Sequence, residues 1–169
     1  MPKNSLDAKV ALVTGAARRI GAEISRVLHA AGMNIVLHYN ASKEAATALC
    51  DELNQIRPHS AVLVCAELSE RGCEKALIQQ AGEAWQRLDV LVNNASRFYR
   101  TFVGEVTDQA WDDLINSNLR APFFLSQAAA PLLAATKGAI INITDIHAQR
   151  PLAEYPVYCI SKSGLLMMT

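Results

Sequence analysis

Hydrophobic and polar positions alternate along this chain in blocks. Short apolar runs rich in β-branched residues give way, repeatedly, to longer stretches with apolar residues at helical spacing. Residues 9–14 (KVALVT), bounded by Gly15, form the first such run and predict a buried strand. Residues 18–31 then place Ile20, Ile24, Val27, Leu28 and Ala31 on one helical face, with Gly32 closing the helix. Residues 34–39 (NIVLHY) predict a second strand, and residues 42–56 a second helix with Ser42 as N-cap and Pro58 just past its end. Residues 61–66 (AVLVCA), 89–93 (DVLVN) and 139–143 (AIINI) predict three further strands. Between them lie predicted helices over 69–87 and 107–135, with Asp108 in the first turn of the latter, and another helix starts at Tyr155. Strict strand–helix alternation, with strands apolar throughout, predicts an α/β fold: a parallel sheet covered on both faces. Right-handed crossovers make it doubly wound and Rossmann-like. There is no internal repeat, low-complexity stretch or linker, so residues 1–169 read as a single domain.

Composition narrows the function classes. Hydrophobic residues make up 51% and charged residues 19%, enough apolar material for a packed core. Sixteen basic residues balance sixteen acidic ones, and the pI is near 6.9. That balance gives no electrostatic footprint for nucleic acid or for an anionic membrane. The first seven residues lack the apolar core of a secretory signal, and no apolar run is long enough to span a bilayer. A cytoplasmic protein is expected. Cys50, Cys65, Cys73 and Cys159 fall in separate predicted elements without a CxxC pair, which predicts buried free thiols rather than a disulfide or zinc framework. The four histidines are scattered, and no metal site is expected.

Candidate chemistry begins where the first strand runs into Thr14-Gly15-Ala16-Ala17-Arg18-Arg19-Ile20-Gly21 and then a helix. Small residues let the backbone approach a pyrophosphate, and the helix N-terminus offers free N–H groups and positive dipole. Arg19 stands where a glycine is common and can reach a phosphate or an anionic substrate edge; a solvated charge at a helix start is the plainer alternative. The second strand ends in His38-Tyr39-Asn40-Ala41-Ser42, with no acid to bind a ribose 2′-hydroxyl. Neutral donors there, with Arg18 nearby, favour a 2′-phosphate and hence NADP(H). Ser42 is free to serve that phosphate as well as capping its helix.

Three more segments complete a pattern. The fourth strand ends in Asn93-Asn94-Ala95-Ser96, the long helix carries Asn118 followed by Pro122, and the last helix opens with Tyr158-Cys159-Ile160-Ser161-Lys162, a YxxxK motif. With Thr14 to Gly21, these segments resemble the short-chain dehydrogenase/reductase family in order and spacing, from about Lys9 to the end of the chain. Arg18-Arg19-Ile20-Gly21, Asn93-Asn94-Ala95-Ser96 followed by Arg97-Phe98-Tyr99, and His38-Tyr39 before a serine are similar to its pteridine reductase branch. So is Asp145, which stands thirteen residues before Tyr158, where most of the family has a serine. Thr144, one residue away, should point to the opposite face of its strand.

The resemblance implies a cofactor site of Gly15, Arg18, Arg19, Ile20, Gly21, His38, Tyr39, Asn40, Ser42, Glu67, Leu68, Asn94, Ala95, Ser96, Tyr158 and Lys162. Glu67 departs from the aspartate usual at the end of the third strand. It implies catalysis by Asp145, Tyr158, Lys162 and Asn118, and a substrate site of Arg19, Ser96, Phe98, Asp145 and Tyr158. Lys162 lies four residues after Tyr158 on the same helical face, and its charge, together with the oxidised nicotinamide, should lower the tyrosine pKa so that Tyr158 serves as general acid. In the resembled fold, Asn118 holds a water that connects Lys162 to solvent. Asp145, by contrast, would repel an oxyanion and oppose the lowered tyrosine pKa; it suits a place beside a substrate nitrogen, or an acid sharing a proton with Tyr158, which points to reduction of a pterin C=N bond. Phe98 either stacks on the flat pterin or packs in the core. Alternatives are reduction of a 3-oxoacyl thioester or small ketone, and non-catalytic nucleotide binding. The family pairs through the long helix and the tyrosine-bearing helix, which implies a dimer or tetramer. Its members run longer than this chain, so the sequence is expected to lack the C-terminal strands and substrate loop, to leave the fifth strand's edge open, and to be inactive alone.

Overall fold

The computed structural model of the chain describes residues 6–169. Five strands, β1 (Val10–Val13), β2 (Asn34–Tyr39), β3 (Ala61–Cys65), β4 (Val90–Asn93) and β5 (Ala139–Asn142), form one sheet in the order β3-β2-β1-β4-β5. Every pairing is parallel. Side chains alternate between the faces of a strand, and β1 uses both. Val10 and Leu12 pack with Leu77, Ile78, Leu125 and Ala129 of α3 (Cys73–Glu83) and α5 (Ala121–Thr136). Ala11 and Val13 pack with Ala22, Leu49 and Leu53 of α1 (Arg19–Ala30) and α2 (Lys43–Ile56). All four β1 residues are fully buried, so the doubly wound reading holds at the level of single side chains.

Asp89 ties two central strands at their start. Its Oδ2 accepts the Val10 N–H at 2.8 Å, and Arg87 holds the carboxylate through Nε and Nη2. Burial would raise its pKa, but the Arg87 and Val10 hydrogen bonds and the nearby positive charges outweigh that and hold it below the usual carboxylate range.

Several predicted boundaries shift for physical reasons. The third helix starts at Cys73, not 69, because Glu67 takes the Ser69 N–H and hydroxyl into a turn and Gly72 sits in the left-handed region at φ +92°. The single long helix predicted over 107–135 is three pieces: α4 (Asp108–Ile115), a π-helical turn (Asn116–Arg120) and α5. Pro122 has no N–H to return to the carbonyl of Asn118, so the ordinary register cannot run through this point, and Ala121 N–H bonds Asn116 instead. On α1 the predicted apolar face is wrong in part. Ile20 and Val27 are 62% and 58% exposed, while Gly21, Ala22, Ser25 and His29 are buried. Small residues win at the sheet because the helix lies so close: a Cβ on Gly21 would collide with the Gly15 carbonyl and Asn94. Ser42 precedes α2 at the cap position but its side chain makes no capping bond. Of the thiols, Cys50 and Cys159 are buried, whereas Cys65 is exposed and Cys73 half-buried; all are free.

A short 3-10 turn (Ile146–Ala148) follows β5, and α6 (Pro156–Met167) closes the described chain. β5 is an edge strand with Ile140 39% and Ile141 44% exposed. Among the described residues no helix is long and apolar enough to cross a membrane, and no cluster of metal-ligating side chains occurs.

Candidate active site

The sheet order reverses direction between β1 and β4, and a cleft opens at the carboxyl ends of the strands there. It measures about 440 Å³ and is lined by Gly15, Ala17 to Gly21, His38 to Ser42, Glu67, Leu68, Asn94 to Arg97 and Ser117. Gly15 forms its hinge: φ is +61°, and a Cβ would come within 3.0 Å of the Ala95 backbone. Arg19 also adopts a positive φ, +51°, which explains physically why glycine suits this position. No side chain caps the N-terminus of α1 and no acid lies in its first turn, so its N–H groups and dipole face the cleft unopposed.

Neighbouring segments lock the loop from below. Asn94 Nδ2 donates to the Thr14 and Gly15 carbonyls at 2.9 and 3.3 Å, and Thr14 Oγ1 receives the N–H groups of Asn94 and Ala95. His38 is 2% exposed, with both ring nitrogens bonded within the protein. Glu67 is the acid among the lining residues, and it is engaged by Arg97 at 2.8 Å, Asn40 and Ser69. Burial would raise the Glu67 pKa, but the Ser69 bonds and the Arg97 charge outweigh it and hold the carboxyl below its ordinary value.

A second group adjoins the cleft through Ser96. Tyr158 donates its hydroxyl to Asp145 Oδ2 at 2.6 Å. Asp145 Oδ1 accepts the His147 N–H at 2.9 Å, which fixes the carboxylate as the cap of the 3-10 turn. Lys162, 3% exposed, donates to the Ile143 carbonyl at 2.9 Å, with Nζ 5.8 Å from the Tyr158 ring centroid. In this structure the tyrosine shift runs upward, the direction in which Asp145 was expected to act. Burial, then the hydrogen bond to and charge of Asp145, push the Tyr158 phenol well above its ordinary value. For Asp145, burial acts upward, but the His147 and Tyr158 hydrogen bonds and the Lys162 charge leave its pKa lowered. Burial lowers the Lys162 ammonium, with Asp145 opposing. The pair therefore holds its proton on the phenol and its charge on the carboxylate.

Asn118, fully buried in the π turn, has its amide used up by the protein. It accepts from Arg97 N–H at 2.8 Å and donates to the Arg97 carbonyl and Ser161 Oγ at 2.9 and 3.1 Å. Its side chain braces the strand-end segment against α6 and makes no bond to Lys162. Phe98 is no core residue: 55% exposed, it stacks on Tyr155 at 4.5 Å and meets Tyr158 edge-on at 4.7 Å. Sequence reasoning missed Tyr155 and Arg97. Arg97 bridges Glu67 and Asp113 while its backbone grips Asn118. The one signal for either was adjacency, Arg97 following Asn93 to Ser96 and Tyr155 lying one turn before Tyr158.

A parallel sheet with a glycine-hinged loop and an uncapped helix start at its switch point defines the doubly wound α/β class built to receive a dinucleotide. Within that class, the chain belongs to the short chain dehydrogenase family, whose model matches residues 9–169. It is 36% identical to pteridine reductase 1 of Leishmania tarentolae, over 96% of this chain and 69% of that protein. It is 33% identical to the short-chain dehydrogenase/reductase FrzI of Cladobotryum sp, covering 99% of this chain and 64% of that one. Identity is also 33% to the 3-oxoacyl-[acyl-carrier-protein] reductase FabG of Staphylococcus aureus, over 95% and 65%. The chain thus spans about two-thirds of the length of these curated relatives.

Proposed function

We propose that the protein is an NADPH-dependent reductase of a dihydropterin or a related pteridine or folate ring, with Tyr158 as proton donor. The observation that carries this reading is the 2.6 Å bond between Tyr158 and Asp145. A carboxylate there disfavours a developing oxyanion, as on a ketone, and suits a ring bearing N–H groups, which it accepts. The pteridine reductase relative supports the same substrate class.

The cleft fits the phosphorylated cofactor. Tyr39, Asn40 and Ser42 offer neutral donors, Arg18 and Arg19 offer charge, and Glu67 is already neutralised by Arg97, so a 2′-phosphate meets no free carboxylate. Bound NADPH supplies the hydride. Tyr158 keeps its proton at the hydroxyl oxygen until a substrate nitrogen displaces Asp145 as acceptor, and then gives it to that nitrogen. Lys162, buried beside the ring, offsets the charge left on the phenolate. Arg19 and Ser96 reach the substrate from the cleft side, and the exposed face of Phe98 offers a flat apolar platform. The protein works in the cytoplasm as a homo-oligomer. Trp111, Phe123 and Phe124, exposed along α4 and α5, support pairing through those helices.

Reduction of a 3-oxoacyl thioester is the competing reading, and it rests on the FabG relative. The deciding assay is NADPH consumption with a dihydropterin and, beside it, an acyl-thioester ketone, for residues 1–169 and for the longest chain the source encodes. Pterin turnover that falls in Asp145→Ser supports the proposal. Consumption of the ketone but not of the pterin, rising in Asp145→Ser, overturns it.

A further inference from the structure

His38 lies near the end of β2 at the floor of the cleft, 2% exposed, with its ring bonded to the phosphate loop. The Gly15 N–H donates to Nδ1 at 3.1 Å, and Nε2 lies 3.1 Å from the Ala66 carbonyl. A backbone N–H only donates and a carbonyl only accepts, so one arrangement satisfies both partners: the neutral ring with its proton on Nε2. Burial lowers the pKa to about 4, against smaller opposing effects of the Ala66 bond and the Glu67 charge, which agrees with a neutral ring. The His38 backbone joins in, its carbonyl accepting the Ala16 N–H at 2.9 Å. Gly15 is thereby held on both sides, its N–H by His38 and its carbonyl by Asn94. This is the residue whose φ of +61° turns the chain toward α1.

We propose that His38 is a positioning residue of the nucleotide cleft, clamping Gly15 so that the loop and the start of α1 are set for a dinucleotide phosphate before it arrives. This rests on the cofactor reading above. The ring spends its acceptor on the loop and its donor on the chain after β3, so it joins three elements around the cleft and keeps neither nitrogen for the ligand. A loop fixed in advance loses less freedom on binding, which favours affinity.

Two variants separate the bonds. In His38→Asn the amide oxygen takes the place of Nδ1 and retains the Gly15 bond. In His38→Gln the amide takes the place of Nε2, retains the Ala66 bond and leaves the Gly15 N–H without an acceptor. Titration of the protein with NADPH should give His38→Asn an affinity near wild type and His38→Gln a loss of about tenfold or more, with faster hydrogen exchange at the Gly15 amide. Equal affinities in the two variants, or unchanged Gly15 exchange in His38→Gln, overturn the clamp. Nitrogen NMR of the wild-type ring decides independently of any variant: a proton on Nε2 supports the clamp, and one on Nδ1 refutes it. A wild-type protein that binds neither NADPH nor NADH sinks the cofactor reading instead, and the ring proton and Gly15 exchange then still report on the clamp itself.

Discussion

Tyr158 and Asp145 share a 2.6 Å hydrogen bond, and each moves the other's proton affinity. The carboxylate raises the phenol, and the phenol's O–H lowers the carboxyl. Replacing Asp145 by Asn should therefore bring the Tyr158 pKa down toward its ordinary value, readable by carbon NMR of labelled tyrosine through an alkaline titration. A Tyr158 pKa that stays put would mean burial alone sets it. Tyr158→Phe should lower turnover by about 10²–10⁴-fold while NADPH affinity changes by less than about tenfold; steady-state assay and cofactor titration measure the two. The family resemblance carried by the motifs put Tyr158, Lys162 and Asp145 forward as candidates. It did not give the direction of the tyrosine shift. Lys162 with the nicotinamide was expected to lower the phenol and Asp145 to oppose it, and spacing could not say which prevails. In the fold the Lys162 ammonium points to the Ile143 carbonyl, while Asp145, thirteen residues away, takes the hydroxyl.

At the scale of elements, Asp89 joins β1 to β4 and so holds the two strands that flank the cleft. Asp89→Ala leaves the buried Val10 N–H without its acceptor and should cost about 2 kcal/mol at pH 7. The sign with pH follows from the lowered carboxyl. Its contribution is full above the unfolded value of about 3.9 and fades as pH falls through the lower folded value. Urea denaturation of wild type and variant should thus differ at pH 7 and converge in strong acid. The π turn carrying Asn118 belongs to this scale too. Pro122 was visible in the sequence beside Asn118. Helical periodicity continues on both sides of the break, however, and a one-residue slip in register leaves little trace in an apolar pattern. Likewise Ile20 sat at a helical apolar position yet faces the cleft, since distance to the sheet, not hydrophobicity, chose Gly21 and Ala22 for burial.

Across the whole molecule the sheet is well covered on β1, β2 and β4, and open at β5. Ile140 and Ile141 point to opposite faces and both are exposed, so neither face of that strand is shielded in the described chain. An uncovered apolar edge templates association. Residues 1–169 should therefore self-associate, and Ile141→Lys should reduce this, as followed by static light scattering. No change on substitution would place the association elsewhere, for example on α4 and α5.

The parallel, doubly wound sheet and the segments that meet at the cleft were determined by sequence alone, because period-2 and period-3.6 patterns report which faces must leave water, and chain connectivity then leaves few topologies; the strand order came from the structure. Candidates in the loops after β1, β2 and β4 were legible for the same reason, since these loops converge on one switch point; Asn118, Asp145, Tyr158 and Lys162 were legible through the family resemblance. Tertiary structure decided what these side chains do there. His38 read as a cofactor residue from its place at the strand end, yet its ring is bonded to the loop with both nitrogens occupied. Asn118 braces Arg97 and Ser161, Glu67 is tied to Arg97, and the proton of the Tyr158–Asp145 pair rests on the phenol. Hydrogen-bond partners, burial and the local field depend on atoms brought together from distant positions, and a one-dimensional pattern carries no record of those distances.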